Sequence, residues 1–279
     1  MSPASNTKLL TFLASINTFD SIPLIKYFIE NDTILNFKST GYPLLLHPLY
    51  EDQNLLSFFE NSSQLVYHNS KETIPRFGPG WSWDDYNYYF SSERSKFPIY
   101  GNVISIYKDS LSSKIQIYPN FFDNKLKVIY DENELQVKRL KDKNIYKVDQ
   151  KNWKINDTIR RPFITSDSLF INLLSRALNK KIKIKNENEN DSIINWKTLY
   201  TEKNDVLYKV CNAMMKYPEM ISGKTGFDTY FMKQFPNIAV SKGGAEGMQA
   251  LALHTKKHGY ISLALKVADG NHRGNYISC

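Results

Sequence analysis

Cysteine is nearly missing from the 279 residues: Cys211 and Cys279 are the two. They offer no metal-ligand spacing and no disulfide framework, which excludes a small cross-linked secreted scaffold and a cysteine zinc site. No run of about 18 apolar residues exists, so a membrane-spanning helix is excluded. The start, Met-Ser-Pro-Ala-Ser, has no basic region followed by an apolar stretch, so it is not expected to act as a secretory signal. No internal repeat period is visible. Disorder is excluded as well, because 42% of residues are hydrophobic and 14% aromatic, enough to bury a core. At about 100–200 residues per domain, the length allows one large domain or two modest ones. Lys and Arg total 36 against 28 Asp and Glu, a formal +8. The excess is scattered lysine. That pattern describes a solvated basic surface with no nucleic-acid partner, and an anionic small substrate accounts for a positive field equally well.

What is present begins at the N-terminus. In SPASNTKLLTFLASI (2–16), Ser2 suits an N-cap and Pro3 the first helical position, where its missing N–H costs nothing. Leu9, Leu10, Leu13 and Ile16 follow at helical spacing, so a buried helix is expected. IPLIKYFI (22–29) and YPLLLHPL (42–49) are apolar and punctuated by Pro and Gly, and QNLLSFF (53–59) reads as a short helix. From Phe77 the composition changes. FGPGWSWDDYNYYF packs two Trp, three Tyr and two Phe around a Gly-Pro-Gly turn. VISIYK, KIQIYP, KLKVIY and NIYKV then alternate in strand fashion, predicting a run of β-hairpins in a subdomain of its own. SDSLFINLLSRAL (166–178) is an amphipathic helix opened by Ser166 and Asp167. KKIKIKNENENDS is expected as a surface loop or edge strand, since alternating Lys blunts further pairing. VLYKVCNAMMKYP predicts a helix stopped by Pro218. IAVSKGG and YISLALKVADG read as strands.

The chemistry-bearing motif is Ser5-Asn6-Thr7-Lys8. Positions i and i+3 share a helix face, so the Lys8 amine can reach the Ser5 hydroxyl. A serine is a weak nucleophile until a base takes its proton. Lysine serves as that base when its pKa falls, and the helix N-terminus together with a second nearby cation pushes it down. A strand lysine beside glycines would hold a substrate carboxylate. Lys242-Gly243-Gly244, after the apolar run Ile238-Ala239-Val240, fits that part best. Lys224-Thr225-Gly226 is the competing candidate, in a turn-like setting. His254 and His258 lack the accompanying glutamate of a metal helix motif and read as surface residues, so no metal and no cofactor is expected. Trp81, Trp83 and Tyr86 to Phe90 are expected to pack between the core and the β-subdomain rather than to bind sugar. Asp84 and Asp85 suit a cap for the following segment.

SPASNTKLLTFLASI resembles the nucleophile helix of the D-alanyl-D-alanine carboxypeptidases of the low-molecular-mass penicillin-binding class. FGPGWSWDDYNYYFSSERSKFPIYGNVI (77–104) is similar to a segment of the same family, and the likeness fades only near residue 205. From about Val206, AMMKYPEMISGKTGFDTYFMKQFPNIAVSKGGAEGMQALAL and ISLALKVADGNHRG resemble the bacterial L-asparaginases of the thermolabile type. The chain thus looks like a join of two relatives of one fold, whether a natural recombinant, an assembly artefact or a deliberate chimera.

These resemblances imply an α+β fold of the serine β-lactamase/transpeptidase type, a mainly antiparallel sheet flanked by helices with a β-rich insert. The core is expected in residues 1–84 and 206–279, with the insert in 85–205. They imply Ser5 as nucleophile, Lys8 as its base and Lys242 at the substrate carboxylate, with Gly243, Gly244, Lys224 and Thr225 lining the substrate. The implied partners are a peptidoglycan stem peptide or a β-lactam, in the periplasm or cell envelope. The implied reaction is carboxypeptidase acyl transfer. An L-asparaginase-like amidohydrolase and an inactive hybrid or fragment are the alternatives. One departure weighs on activity: NDVLYK (204–209) leads toward the family's Ser-x-Asn motif, but VCNAMMKYP follows instead. The only literal SxN, Ser15-Ile16-Asn17, lies on the nucleophile helix itself. The strand that family members carry before that helix and the helix that closes their sheet are also missing from the text, so marginal stability is expected.

Overall fold

The computed structural model describes residues 21–48, 53–77, 81–109, 114–129, 136–149, 153, 158–187 and 194–202. The expected helix over 2–16 and every expected element after residue 202 lie outside the described residues.

Strand β1 (Ser21–Glu30) buries Ile22, Pro23, Leu24 and Ile25 in succession, as a strand covered on both faces does. Its proline is accommodated by position. The ladder with β2 (Ile34–Ser39) begins only at Ile25, and the pairing with the last strand shifts register between Pro23 and Ile25. A missing N–H is tolerated at such a bulge. Asn31 and Asp32 turn the hairpin with φ of 52° and 55°, a region these short polar side chains enter more readily than others. The helix expected over 53–59 is α1 (Gln53–Glu60). It crosses over to β3 (Gln64–Asn69), which runs parallel to β2.

The second helix, α2 (Asp167–Leu178), follows the expectation closely. The Ser166 hydroxyl accepts from the Leu169 N–H, and Asn179 ends the helix in the left-handed region. It leads into β10 (Ile182–Asn186), whose alternating lysines sit on the outermost strand of a five-stranded sheet. With β11 (Lys197–Glu202) the order is β10-β3-β2-β1-β11. β10 pairs parallel to β3, and β11 pairs antiparallel to β1. Both fall in the 85–205 span expected as the insert, so strand pairing crosses the expected border at residue 85.

Aromatic side chains fill the space between this sheet and the helices. Phe37 lies 4.8 Å from Phe59 and 5.4 Å from Tyr67, ring centre to ring centre. Tyr67 meets Phe170 of α2 at 5.3 Å, and Phe170 stacks on Phe97 at 4.8 Å. All five are buried. Each adds a large apolar area and favourable ring geometry.

Between β3 and α2 the chain builds two three-stranded sheets. One holds β4 (Val103–Lys108), β5 (Ile115–Tyr118) and β9 (Thr158–Pro162), in the order β5-β4-β9. The other holds β6 (Leu126–Ile129), β7 (Val137–Arg139) and β8 (Tyr146–Asp149), in the order β6-β8-β7. β4 and β5 form the expected hairpin. β6 and β8 pair in parallel, which corrects the expectation of an unbroken run of hairpins. Parallel neighbours need a crossover, and here the chain between them supplies β7.

Candidate functional site

Ser5, Lys8, Lys224, Thr225, Lys242, Gly243 and Gly244 all lie outside the described residues, as do His254 and His258. The second segment singled out by sequence, 77–104, lies largely within them. Its centre is Glu93, a fully buried carboxylate. Arg76 grips it as a fork, Nε to Oε2 at 3.0 Å and Nη2 to Oε1 at 2.5 Å. The Thr165 N–H donates to Oε2 at 3.1 Å, and the guanidinium of buried Arg139 stands 3.8 Å from Oε1. A carboxylate taken out of water costs several kcal/mol, and paired geometry with charge-assisted bonds offsets that cost. The hydrogen bond to Glu93 holds Arg76 above its ordinary pKa, while burial pushes Arg139 below its own.

The same cluster anchors the aromatic segment. Trp83–Asn87 form a 3-10 turn, in which Asp84 and Asp85 occupy the first turn and Ser82 is the N-cap residue. Buried Asn87 then docks on β7 as a strand would. Its amide donates to the Val137 carbonyl at 3.3 Å and its carbonyl oxygen accepts the Arg139 N–H at 2.7 Å. Arg139 donates onward to the Tyr86 and Lys141 carbonyls, each at 3.2 Å. Arg161 also donates to the Val137 carbonyl, at 2.9 Å, and burial pushes its pKa down to about 10. One aromatic expectation is corrected. Trp83 is 72% exposed, with Lys141 Nζ 4.9 Å above its ring, so it is not packed between sheets. The Lys141 ammonium lies over the exposed ring, and a cation and a π-face can meet in water.

Beyond Glu93 the chain makes a left-handed turn. Tyr100, Gly101 and Asn102 have φ of 55°, 61° and 55°. Glycine is required at the middle position for a second reason: a Cβ there would stand 3.1 Å from the His47 ring. Asn102 locks the turn by donating to the Glu93 carbonyl and the Ser95 hydroxyl, both at 2.9 Å. His47 is buried against this turn, and burial with Arg160 nearby lowers its pKa to about 3. Lys96 staples the turn's approach to the sheet. Its Nζ donates to the Asn69 side chain and the Ser70 carbonyl at 2.8 Å, and to Asp167 at 3.1 Å. A cavity of about 230 Å³ lies beside these groups, with Arg76, Arg94 and Lys96 facing Phe97 and Phe170.

Sequence reasoning missed Glu93, Arg139 and Asn87. Their one visible signal was the charged SER triplet after an aromatic run, which does not name partners 50 or 72 residues away. Among the described residues no group of three His, Cys, Asp or Glu side chains is placed to hold a metal ion. No helix among them is long and apolar enough to cross a membrane.

Comparison with known proteins bears on both ends of the chain. The model of the L-asparaginase II family matches residues 189–279. That match starts before the expected change of character at 206, and it includes β11, which pairs with β1. None of the curated proteins matches the chain. Among solved structures, penicillin binding protein 4 (dacB) from Haemophilus influenzae is similar over 97% of this chain and 67% of its own, with 18% identity and a TM-score of 0.55. The same protein complexed with a novel β-lactam aligns over 93% and 61%, with 17% identity and a TM-score of 0.44. The chain therefore spans about two thirds of the length of the solved chains it resembles. Both resemblances read from the sequence thus recur, one as a family-model match and one as a structural likeness. The fold is α+β and transpeptidase-like, similar to that of penicillin binding protein 4.

Proposed function

We propose that the chain is a serine acyl-transfer hydrolase of the D-alanyl-D-alanine carboxypeptidase kind, acting on peptidoglycan stem peptides in the periplasm or cell envelope and acylated by β-lactams. The observation that carries this reading is the Ser5-x-x-Lys8 motif in a chain whose fold is similar to penicillin binding protein 4 over 97% of its length. In this reading the core comes from residues 1–84 and 206–279. Residues 85–205 are inserted between them and return through β10 and β11 to the sheet of β1–β3.

The chemistry follows from the residue types. Lys8, neutral, takes the Ser5 proton, and the alkoxide attacks the carbonyl of the penultimate residue. The oxyanion is held by the Ser5 N–H and an N–H just past Lys242-Gly243-Gly244. The leaving amine takes back the proton, and water then releases the acyl group. Lys242 holds the substrate's terminal carboxylate, with Lys224 and Thr225 as the competing pair for that task. The absent Ser-x-Asn motif removes a proton shuttle, so turnover is expected to lie orders of magnitude below that of an intact site. The test is intact-protein mass spectrometry after incubation with penicillin. One covalent adduct is expected, and none in Ser5→Ala. A folded protein that takes no adduct removes the reading.

The L-asparaginase II match over 189–279 favours a second reading, an amidohydrolase acting on asparagine. Ammonia release from L-asparagine, with no penicillin adduct, is the outcome that selects it.

A further inference from the structure

A second cleft, whose lining includes none of the groups gathered on Glu93, holds about 640 Å³, inside the range of about 300–1,000 Å³ for small-ligand sites. Three elements wall it, and each contributes a different chemistry. In the β4–β5 hairpin, Tyr107 pairs with Gln116 and Ser105 with Tyr118. Alternation therefore puts Tyr107, Gln116 and Tyr118 on one face and Ile106 and Ile117 on the other, and Ile115, Ile117, Phe121 and Leu126 add apolar lining to the cleft. Tyr118 is 46% exposed, and its ring meets buried Tyr100 edge to face at 5.5 Å. The exposed Tyr118 is thus braced from behind by the left-handed turn. Its flank is polar: the Tyr107 hydroxyl bonds Gln116 Oε1 at 3.1 Å, and Gln116 Nε2 bonds Asp109 at 2.9 Å.

The turn after β5 supplies Asn120 and Asp123 to the same cleft. Leu173, Arg176 and Ala177, at i, i+3 and i+4 of α2, form the opposite wall, and Lys114 stands at the rim. A rigid aromatic face held beside amides, a carboxylate and two cations is the combination that reads a pyranose. The ring C–H face stacks on the aromatic. Hydroxyl and acetamido groups exchange hydrogen bonds with the amides and the carboxylate, and cations favour an acidic substituent. A purely apolar ligand would leave Arg176, Asn120 and Asp123 without use.

We infer that this cleft, walled by Tyr118, Tyr107, Gln116, Asn120 and Arg176, is an accessory saccharide-binding site that takes a short oligosaccharide of N-acetylated amino sugars. The N-acetylation and the glycan strand of peptidoglycan as source both rest on the function proposed above; the choice of a saccharide does not. The site lies in the region expected as the insert. It would hold the polymer while its peptides are processed elsewhere.

The test is calorimetric titration of the full chain with the β-1,4 tetramer of N-acetylglucosamine. Saturable binding is expected, weakened about tenfold in Tyr118→Ala and kept in Tyr118→Phe. Arg176→Gln is expected to change it by less than about twofold, since this tetramer carries no acidic substituent for the cation to hold. Both side chains are solvent-exposed, and an unchanged circular dichroism spectrum verifies folding. Ser5→Ala is expected to bind the sugar like the parent chain, so failure to react with penicillin and failure to bind sugar are separate outcomes. No saturable binding by folded protein overturns the inference. So does binding that is indifferent to Tyr118→Ala, or equal displacement by a sugar-free stem peptide.

Discussion

The five-stranded sheet and the junction around Glu93 are both buried, and they are held by opposite means. In the sheet, Phe37, Phe59, Tyr67, Phe97 and Phe170 pack ring on ring against the two helices. At the junction, one carboxylate collects Arg76, Arg139 and the Thr165 N–H, and Asn87 completes the edge of β7. The first arrangement tolerates any side chain that fills the space. The second demands particular charges in particular places, because an uncompensated buried ion is far more costly than a lost methylene. Apolar packing therefore makes the scaffold, and the polar junction fixes how the aromatic segment sits on it.

The largest expected effect comes from breaking the junction. Glu93→Leu leaves Arg139 buried without its carboxylate and is expected to cost about 3–5 kcal/mol, measured by urea unfolding. Adding Arg139→Met is expected to recover most of the loss, since Arg76 is 45% exposed at its side chain and can turn to water. No recovery in the double variant would show that packing, not charge, holds the junction. Phe37→Ala in the sheet is expected to cost a similar 3–5 kcal/mol, with no rescue from removing any charge.

Acid sharpens the contrast further. His47 has a pKa of about 3 when folded and about 6.5 when unfolded. Between those values the unfolded chain binds the extra proton, so stability falls as pH falls from about 6.5 and levels only below about 3. The slope is expected to approach 1.4 kcal/mol per pH unit and to flatten in His47→Gln, read as urea midpoints across that range. Gly101→Ala is expected to cost about 1–2 kcal/mol for the left-handed backbone alone, and more from the His47 ring, by thermal unfolding. The smallest effect belongs to the surface. Lys38 and Glu187 pair at 3.0 Å with both side chains part-exposed, and Lys38→Met is expected to shift stability by less than about 1 kcal/mol.

Much of the architecture could be read locally. The α1 and α2 helices, the Ser166 cap and the β4–β5 hairpin follow from periodicity and end signals within a dozen residues. The lysine-rich β10 announced itself as an edge. Other features were not legible for a physical reason. That β3 lies between β2 and β10, and that β6 pairs with β8, depends on crossovers whose closure no local pattern encodes. Trp83 reads as core by composition, yet it stands in water with Lys141 over its ring. Glu93 reads as a surface charge until Arg76, Arg139 and Thr165 arrive from elsewhere in the chain.

By itself the sequence determined helices α1 and α2, the β4–β5 hairpin, the aromatic segment and the Ser5-x-x-Lys8 motif with its family resemblance, because these depend on residues that are neighbours along the chain. Only the tertiary structure decided which charges are buried, which aromatics face water, and that β4, β5 and α2 enclose a cleft with Tyr118 at its mouth. Those outcomes are set by solvent exclusion, which acts on groups brought together in space whatever their distance in sequence.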